Sequence, residues 1–438
     1  MATITPKPFE SKAVSDARDA VSARMGDERL RQMFDRCLMN TLETTLVFTD
    51  GDEPDTYVIT GDIDAMWLRD SSAQVWPYVQ FAPHDPHLAT MLRGVIARQA
   101  RMVLLDPYAN AFCYDDTCTT PNANDITQMK RGVFERKFEV DSLAHVMRLS
   151  AGYLAATGDR RICTPDWWKA MHTIVDTLTL EQNHPARSDY RFERLHTRDI
   201  STLHEGVGTP VAITGMPWSG FRPSDDRCEF HYNVPASAFT VVALQRLAQM
   251  VASVDENDLT YRAARLAAEI QGGLYGHGRV RHPVYGEILA YEVDGIGSAA
   301  LMDDANVPSL LSLPYLGWCE ADNALYESTR QFVLSRANPH FAWGELAEGV
   351  GSPHTEEGRV WPMSIIMRAM TSRDDRETRA CLRMLRALAG DDGLMHESVH
   401  PDDAGQFSRP WFAWANSLFG ELILHLTATR PALLEGKL

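Results

Sequence analysis

Residues 60–80 read TGDIDAMWLRDSSAQVWPYVQ. They follow a β-branched run, TYVIT, and lead into a helical pattern, WLRDSSAQVWPYVQ, whose Ser and Asp residues and early Met-Trp-Leu run mark a helix start. Three acids (Asp62, Asp64, Asp70), Arg69 and two tryptophans (Trp67, Trp76) fall within fifteen residues. Polar groups at a helix start can point into a cavity while the rest of the helix packs. The plain alternative is a capped helix with a solvated charge cluster.

Outward from this stretch the chain is mostly helical. Residues 10–27 read as a polar, Ala-rich helix. Helical spacing of apolar residues continues over 28–47, 87–105, 138–156, 165–182, 235–252, 256–274, 303–313, 322–336, 359–371, 375–390 and 409–428. FTDGDEPDTYVITGDI reads as a hairpin or irregular turn. A long polar loop, 106–137, and a longer connection, 184–234, interrupt the helices; loops of that length are usually functional or disordered. About twelve main helices pair into about six hairpins. Six such hairpins can close into a ring, an all-α (α/α)6 barrel, with an open solenoid as the alternative. The expected organisation is an N-terminal polar helical extension over 1–27 and a single catalytic domain over 28–438.

The chain has 438 residues, 45% of them hydrophobic and 23% charged, so a large core is expected. A net charge of −17 argues against nucleic acid and anionic membrane surfaces, which need a cationic footprint. No stretch reads as long and apolar enough to span a bilayer. The N-terminus lacks a basic start followed by an apolar core, so the expected location is cytoplasmic. Seven scattered cysteines (Cys37, Cys113, Cys118, Cys163, Cys228, Cys319, Cys381) suit reduced thiols. Cys113 and Cys118 lack the second close pair of a zinc site.

Four further stretches are dense in polar and aromatic residues. GMPWSGFRPSDDRCEFHY (215–232) places Asp225 and Asp226 on Pro/Gly-rich loop beside Trp218, Phe221 and Arg222. In MDDANVPSLLSLPYL (302–316), Asp303, Asp304 and Asn306 precede an apolar run, and helix capping accounts for Asp304 and Asn306 well. GSPHTEEGRVWPM (351–363) carries His354, Arg359 and Trp361. GLMHESVHPDDAGQFSRPWFAWAN (393–416) carries His396, Glu397, His400, Arg409, Trp411 and Trp414. Five such loops at corresponding positions of a six-hairpin ring would meet at one end. There is no G-x-S-x-G elbow, no P-loop, no G-x-G-x-x-G after a strand and no H-E-x-x-H. What remains is a carboxylate-rich, aromatic-lined site. Aromatic faces beside charged hydrogen-bonding groups suit sugars, and two carboxyls straddling a sugar are the equipment of glycoside hydrolysis.

These blocks carry a resemblance. TGDIDAMWLRDS, GMPWSGFRPSDD, LMDDANVPSLLSLPYLG, RVWPMSI, and GLMHESV with SRPWFAWANSLFGELI are similar to the signatures of glycoside hydrolase family 125. The resemblance implies an (α/α)6 barrel, removal of terminal α-1,6-linked mannose with inversion, and no metal or other cofactor. It implies a general acid at Asp225 or Asp226, with Asp225 favoured, and a general base at Glu397. Arg69 and Asp70 resemble part of the pocket for the terminal mannose. Asp62, Trp67, Trp218, Arg222, Asp303, Asp304, Asn306, His354, Trp361, His396, Arg409 and Trp411 are the remaining candidates for substrate contact. The implied partner is a mannose-containing oligosaccharide. The competing readings are a glucoamylase-like hydrolase, a glycoside phosphorylase, or an inactive carbohydrate-binding barrel. A phosphorylase needs a cationic phosphate site in place of Glu397, and intact carboxylates weigh against the inactive barrel.

Overall fold

The structure is a computed structural model that describes residues 5–195, 197–252 and 257–438. Its helices are α1 (Lys12–Ser22), α2 (Glu28–Thr44), α3 (Leu68–Val75), α4 (Pro86–Leu105), α5 (Val140–Thr157), α6 (Pro165–Glu181), α7 (His184–Arg187), α8 (Val234–Ala252), α9 (Asn257–His277), α10 (Leu313–Leu316), α11 (Ala324–Val333), α12 (Pro362–Met370), α13 (Asp375–Leu388) and α14 (Ala413–Thr429). Side-chain caps set several starts. Asp27 accepts from Leu30 N–H, Asp85 from His87 and Leu88 N–H ahead of Pro86, and Thr164 from Trp167 N–H ahead of Pro165. Gly158, at φ +66°, ends α5 in the left-handed conformation that glycine adopts without cost.

Helices alternate between an inner and an outer layer of an (α/α)6 barrel. The inner layer is α3, α5, α8, α10, α12 and α14, in which α3 touches α5 and α14, α5 touches α8, α8 touches α10, and α12 touches α14. The outer layer is α4, α6, α9, α11, α13 and α2, and α2 closes the circle by packing on α13 and α14. Burial separates the layers. Every residue from Ala413 to Gly420 of α14 and from Val234 to Leu244 of α8 is buried. Outer helix α13 buries only Thr378, Cys381, Leu382, Leu385 and Leu388, the single stripe of a half-exposed helix. Helix α8 is long and apolar enough to cross a membrane, contrary to the expectation from sequence, but 83% of that segment is buried within the protein. Its apolarity is that of a helix enclosed on two sides.

Two further expectations are corrected. No helix covers 303–313: Asp303 accepts from Leu310 and Leu311 N–H, and Asp304 from Asn306 N–H, so side chains take backbone donors a helix would need, and only Leu313–Leu316 turns helical. The cysteines are not all free thiols, because the 106–137 loop brings Cys113 and Cys118 to a Cα separation of 6.1 Å and they form a disulfide. Cys37, Cys163, Cys228, Cys319 and Cys381 are free.

The connections also hold more strand than the alternation predicts. The expected hairpin pairs Leu46–Thr49 with Asp55–Val58. Unforeseen hairpins pair Arg279–His282 with Gly286–Leu289, Phe341–Trp343 with Glu348–Val350, and Ser398–His400 with Asp403–Ser408. Each is too short to show a period of two.

Candidate active site

The inner helices all start at the same end of the barrel, and the motif-bearing connections lead into those starts. Arg69 and Asp70 occupy the first turn of α3, Glu139 and Asp141 flank the start of α5, Trp361 immediately precedes α12, and Phe412 immediately precedes α14. The positive ends of the helix dipoles therefore face a region rich in acids, which favours negative charge there.

Arg69 is the hub of the inner part. Its Nη1 donates to Glu139 and, at 3.4 Å, to Asp141; its Nη2 donates to Asp225 Oδ1 at 3.1 Å; its Nε lies 3.4 Å from Asp70 Oδ2. Asn110 Nδ2 also donates to Asp225 Oδ1 at 3.1 Å and lies within 3.3 Å of Glu139 Oε1. Lys137 Nζ donates to the Asp225 carbonyl at 2.7 Å. One guanidinium among three buried carboxyls and the partly exposed Asp225 cannot neutralise them all, so a proton is retained. Burial pushes Glu139 well above the usual carboxyl range, against the pull of Arg69, and Asp225 pushes it further. Burial would also raise Asp225, but Arg69, a hydrogen bond from Glu139, Lys137 and His354 together hold it well below that range. The Asp225–Glu139 pair thus holds a proton between its two members. Burial likewise raises Asp70 and Asp141 to about 6 each, with Arg69 opposing.

The outer part is organised by Arg409. Its Nη1 donates to Glu397 Oε1 at 3.3 Å, and its Nε to Asp62 Oδ1 at 3.1 Å. Ser408 Oγ donates to Glu397 Oε2 at 2.8 Å, so both oxygens of this buried carboxyl accept hydrogen bonds. His354 Nδ1 lies 3.1 Å from Asp226 Oδ1. Burial lowers His354, but its hydrogen bond to Asp226 and the charges of Asp226, Glu397 and Asp225 raise it on balance. Glu397, Ser408, Arg409, His354 and Phe407 line an open cleft of about 510 Å³.

Backbone strain and unsatisfied polar atoms concentrate here. Among the described residues three non-glycine positions have positive φ, and two of them are Asp225 (+65°) and Arg409 (+40°). Trp67 Nε1, Asp70 Oδ2, Ser224 Oγ and Asp226 Oδ2 are buried with no hydrogen-bond partner. A polar ligand rich in hydroxyls can satisfy such groups.

The other candidates are placed as follows. Trp67 packs edge-on against Phe134, and Trp411 donates from Nε1 to Asn40 at 3.1 Å while its carbonyl lies over Gly61. Trp361 Nε1 donates to Thr355 Oγ1 at 2.9 Å beside His354. Asp304 Oδ2 accepts from Ser352 Oγ at 3.0 Å, and Ser352 in turn accepts from His354 N–H, which ties Asp304 and Asn306 to the His354 loop. Four candidates are committed to the scaffold. Trp218 is stacked between His184 and His231; Arg222 forms a bidentate pair with Glu292; His396 is stacked on Phe407 at 3.7 Å with its Nδ1 towards the Pro410 carbonyl; Asp303 binds backbone N–H groups and is raised by burial to about 8. Asn110, Lys137, Glu139, Asp141 and Ser408 belong to the site and were not singled out from sequence. Glu139 and Asp141 had a signal, since they stand at a helix start as Arg69 and Asp70 do. Asn110 and Lys137 had only their place in a long loop. No group of three His, Cys, Asp or Glu side chains among the described residues is arranged to hold a metal ion.

Comparison with known proteins places the chain. The profile of the metal-independent alpha-mannosidases (GH125) matches residues 27–424. The meiotically up-regulated gene 157 protein of Schizosaccharomyces pombe is 42% identical over 98% of this chain and 88% of its own length. The structure of a metal-independent alpha-mannosidase from Streptococcus pneumoniae, in a non-productive substrate complex with α-1,6-mannobiose, superposes with a TM-score of 0.93 at 39% identity, covering 96% of this chain and all of that one. A bacterial glucoamylase complexed with acarbose has a TM-score of 0.51 at 13% identity, over 85% of this chain and 51% of that one, a likeness of fold alone. Fold and site define a helical-barrel glycoside hydrolase. Within that class, the chain belongs to the metal-independent alpha-mannosidase family GH125.

Proposed function

We propose that this enzyme removes terminal α-1,6-linked mannose from oligosaccharides, one residue at a time and with inversion. The observation that carries the reading is that one barrel end brings together two kinds of carboxyl: the proton-sharing Asp225–Glu139 pair and Glu397, whose two oxygens both accept hydrogen bonds. An inverting glycosidase needs an acid that protonates the leaving oxygen and a base that activates water on the opposite face of the sugar. Asp225 takes the acid role and Glu397 the base role. Asp225 has a side chain 22% exposed, against 2% for Asp226, so Asp225 is the aspartate a glycosidic oxygen can reach. Asp226 orients His354. Arg69 and Asp70 hold the terminal mannose. The four scaffold-bound candidates, Trp218, Arg222, His396 and Asp303, act through the loops they fix.

In this reaction Glu397 takes a proton from water, the water oxygen bonds to the anomeric carbon, and the glycosidic bond breaks as Asp225 passes to the departing oxygen the proton that Glu139 holds beside it, leaving both carboxyls of the pair ionised until one is reprotonated from solvent. The test is hydrolysis of α-1,6-mannobiose beside the α-1,2, α-1,3 and α-1,4 linked pairs, with and without EDTA, read by NMR. The expected result is preference for the α-1,6 pair, β-mannose as first product and no effect of chelator. First-formed α-mannose would end the inverting assignment, and loss of activity restored by calcium or zinc would end the metal-independent one. The pneumococcal relative's complex with α-1,6-mannobiose supports the linkage.

A further inference from the structure

The cleft that holds Glu397 does not stop at Arg409. A second depression of about 260 Å³, lined by His340, Phe341, Trp343 and Ser352, shares Glu356 and Arg359 with it as common lining. Two hairpins build this continuation. The turn of the hairpin 341–350 docks on the hairpin 398–408 through Leu346 N–H to the Pro401 carbonyl at 2.9 Å and Glu345 N–H to Asp402 Oδ1 at 2.6 Å. Arg359 spans the junction, donating to the Gln406 carbonyl at 3.0 Å and to Glu356 Oε2. Each depression carries an exposed aromatic ring: Phe407 is 39% exposed in the first and Trp343 is 49% exposed in the second. Both rings are held in place. Phe407 lies flat on His396, and the Arg336 guanidinium sits 4.0 Å from the Trp343 ring centroid.

An aromatic face held rigid and open to a cleft is a stacking surface. The groups around the two rings decide what stacks on them. Rigid apolar faces separated by a carboxylate and a guanidinium match the alternating C–H faces and hydroxyls of linked sugars. An enzyme that removes a terminal sugar must also leave the rest of its substrate somewhere along the exit from the cleft. We propose that the groove from Glu397 past Arg359 to Trp343 binds the sugars on the leaving-group side of the scissile bond, so that a longer α-mannoside is processed better than a disaccharide. This inference rests on the mannosidase reading.

The experiment compares linear α-1,6-mannotetraose with α-1,6-mannobiose, in the wild-type enzyme and in Trp343→Ala. The wild type is expected to show a higher kcat/KM on the tetrasaccharide. Trp343→Ala is expected to reduce that advantage by roughly three- to tenfold, the scale of one lost aromatic contact, and mainly through KM. An unchanged ratio, or a fall common to both substrates, overturns the proposal. A second measurement is independent of turnover: tetrasaccharide binding by calorimetry to Glu397→Gln and to the same variant carrying Trp343→Ala. Weaker binding to the double variant supports the groove, and equal binding overturns it. Should the wild type hydrolyse no mannoside, the mannosidase reading fails on its own, and the calorimetric pair still decides whether Trp343 binds sugar.

Discussion

The two carboxyl regions of the site are built from the same residue types and behave differently. Around Arg69, three acids are enclosed at the inner-helix starts and the partly exposed Asp225 reaches in from a loop; burial raises Glu139 well above the usual carboxyl range and Asp70 and Asp141 to about 6. Around Arg409, Glu397 borders an open cleft, and Asp62 on the far side of the guanidinium is exposed. The ratio of carboxyls to cations differs as well: Arg69 serves four acids, whereas Arg409 serves two and Ser408 supplies a further donor. The inner region therefore holds a proton on Glu139 beside the lowered Asp225. Environments that push like groups apart are how a single fold obtains both an acid and a base at one pH. The architecture explains the contrast. Arg69, Glu139 and Asp141 sit on or beside helix starts enclosed by the barrel, while Glu397 and Arg409 sit on the hairpin 398–408 and its approaches, at the rim.

Exchanging charge for shape in each region gives the largest expected effect. Glu397→Gln should lose about 10²–10⁴-fold or more in kcat on every substrate, because nothing activates the water. Asp225→Asn should lose as much on α-1,6-mannobiose but partly recover on an aryl mannoside whose leaving group departs without a proton. Asp226→Asn, assayed in parallel, should show no such recovery. A recovery specific to Asp226→Asn would move the acid role to that residue. Equal losses for Glu397→Gln and Asp225→Asn on the aryl substrate would erase the distinction between the regions.

Removing the cation should then separate them by stability. Arg69→Met leaves the buried Glu139, Asp141 and Asp70, and the partly exposed Asp225, without their counter-charge. Breaking a buried pair from one side costs about 3–5 kcal/mol, and this should appear as a lowered midpoint in urea denaturation at pH 7. Arg409→Met leaves Ser408 still donating to Glu397 and Asp62 in contact with solvent, so it should cost less stability than Arg69→Met while still impairing turnover. Similar stability losses for the two variants would mean that the inner region is no drier than the rim.

The contrast was only partly legible in the sequence. The ring of hairpins was, because helical periodicity and spacing survive in helices such as α4, α6 and α13. The motif clusters were, because TGDIDAMWLRD and GLMHESV concentrate acids and aromatics at helix starts. Three things were hidden for physical reasons. Asp303 looked like the start of a helix because capping and loop-bracing use the same residue types; only the folded loop shows that it takes N–H groups seven and eight residues on. Trp218 looked like a sugar platform because sequence does not distinguish an indole facing a cavity from one stacked between two histidines. Asn110 and Lys137 reach Asp225 across separations of 115 and 88 residues, and no local pattern encodes such contacts.

The smallest expected effect is a gain in stability. Asp141 is raised from its ordinary value of 3.8 to about 6 by burial, with Arg69 only partly opposing, and its Oδ1 has no hydrogen-bond partner. Between those two values the folded protein binds more proton than the unfolded chain, so this group's contribution to stability falls as pH rises through that window. Below about pH 4 both states are protonated and the group contributes no penalty; above about pH 6 the cost of the buried charge is fully present. Asp141→Asn keeps the shape and removes the charge. It should therefore raise stability at pH 7 by on the order of 1–3 kcal/mol, with little change at pH 4, even as activity falls through the altered Arg69 cluster. The measurement is the denaturation midpoint of wild type and variant across pH 4–8, where the two curves should diverge upwards. Asp62→Asn, at the exposed side of Arg409, should leave the curves parallel. Should Asp141→Asn instead destabilise the protein most at pH 7, the Asp141 charge would be a net stabiliser, and the inner region would resemble the rim.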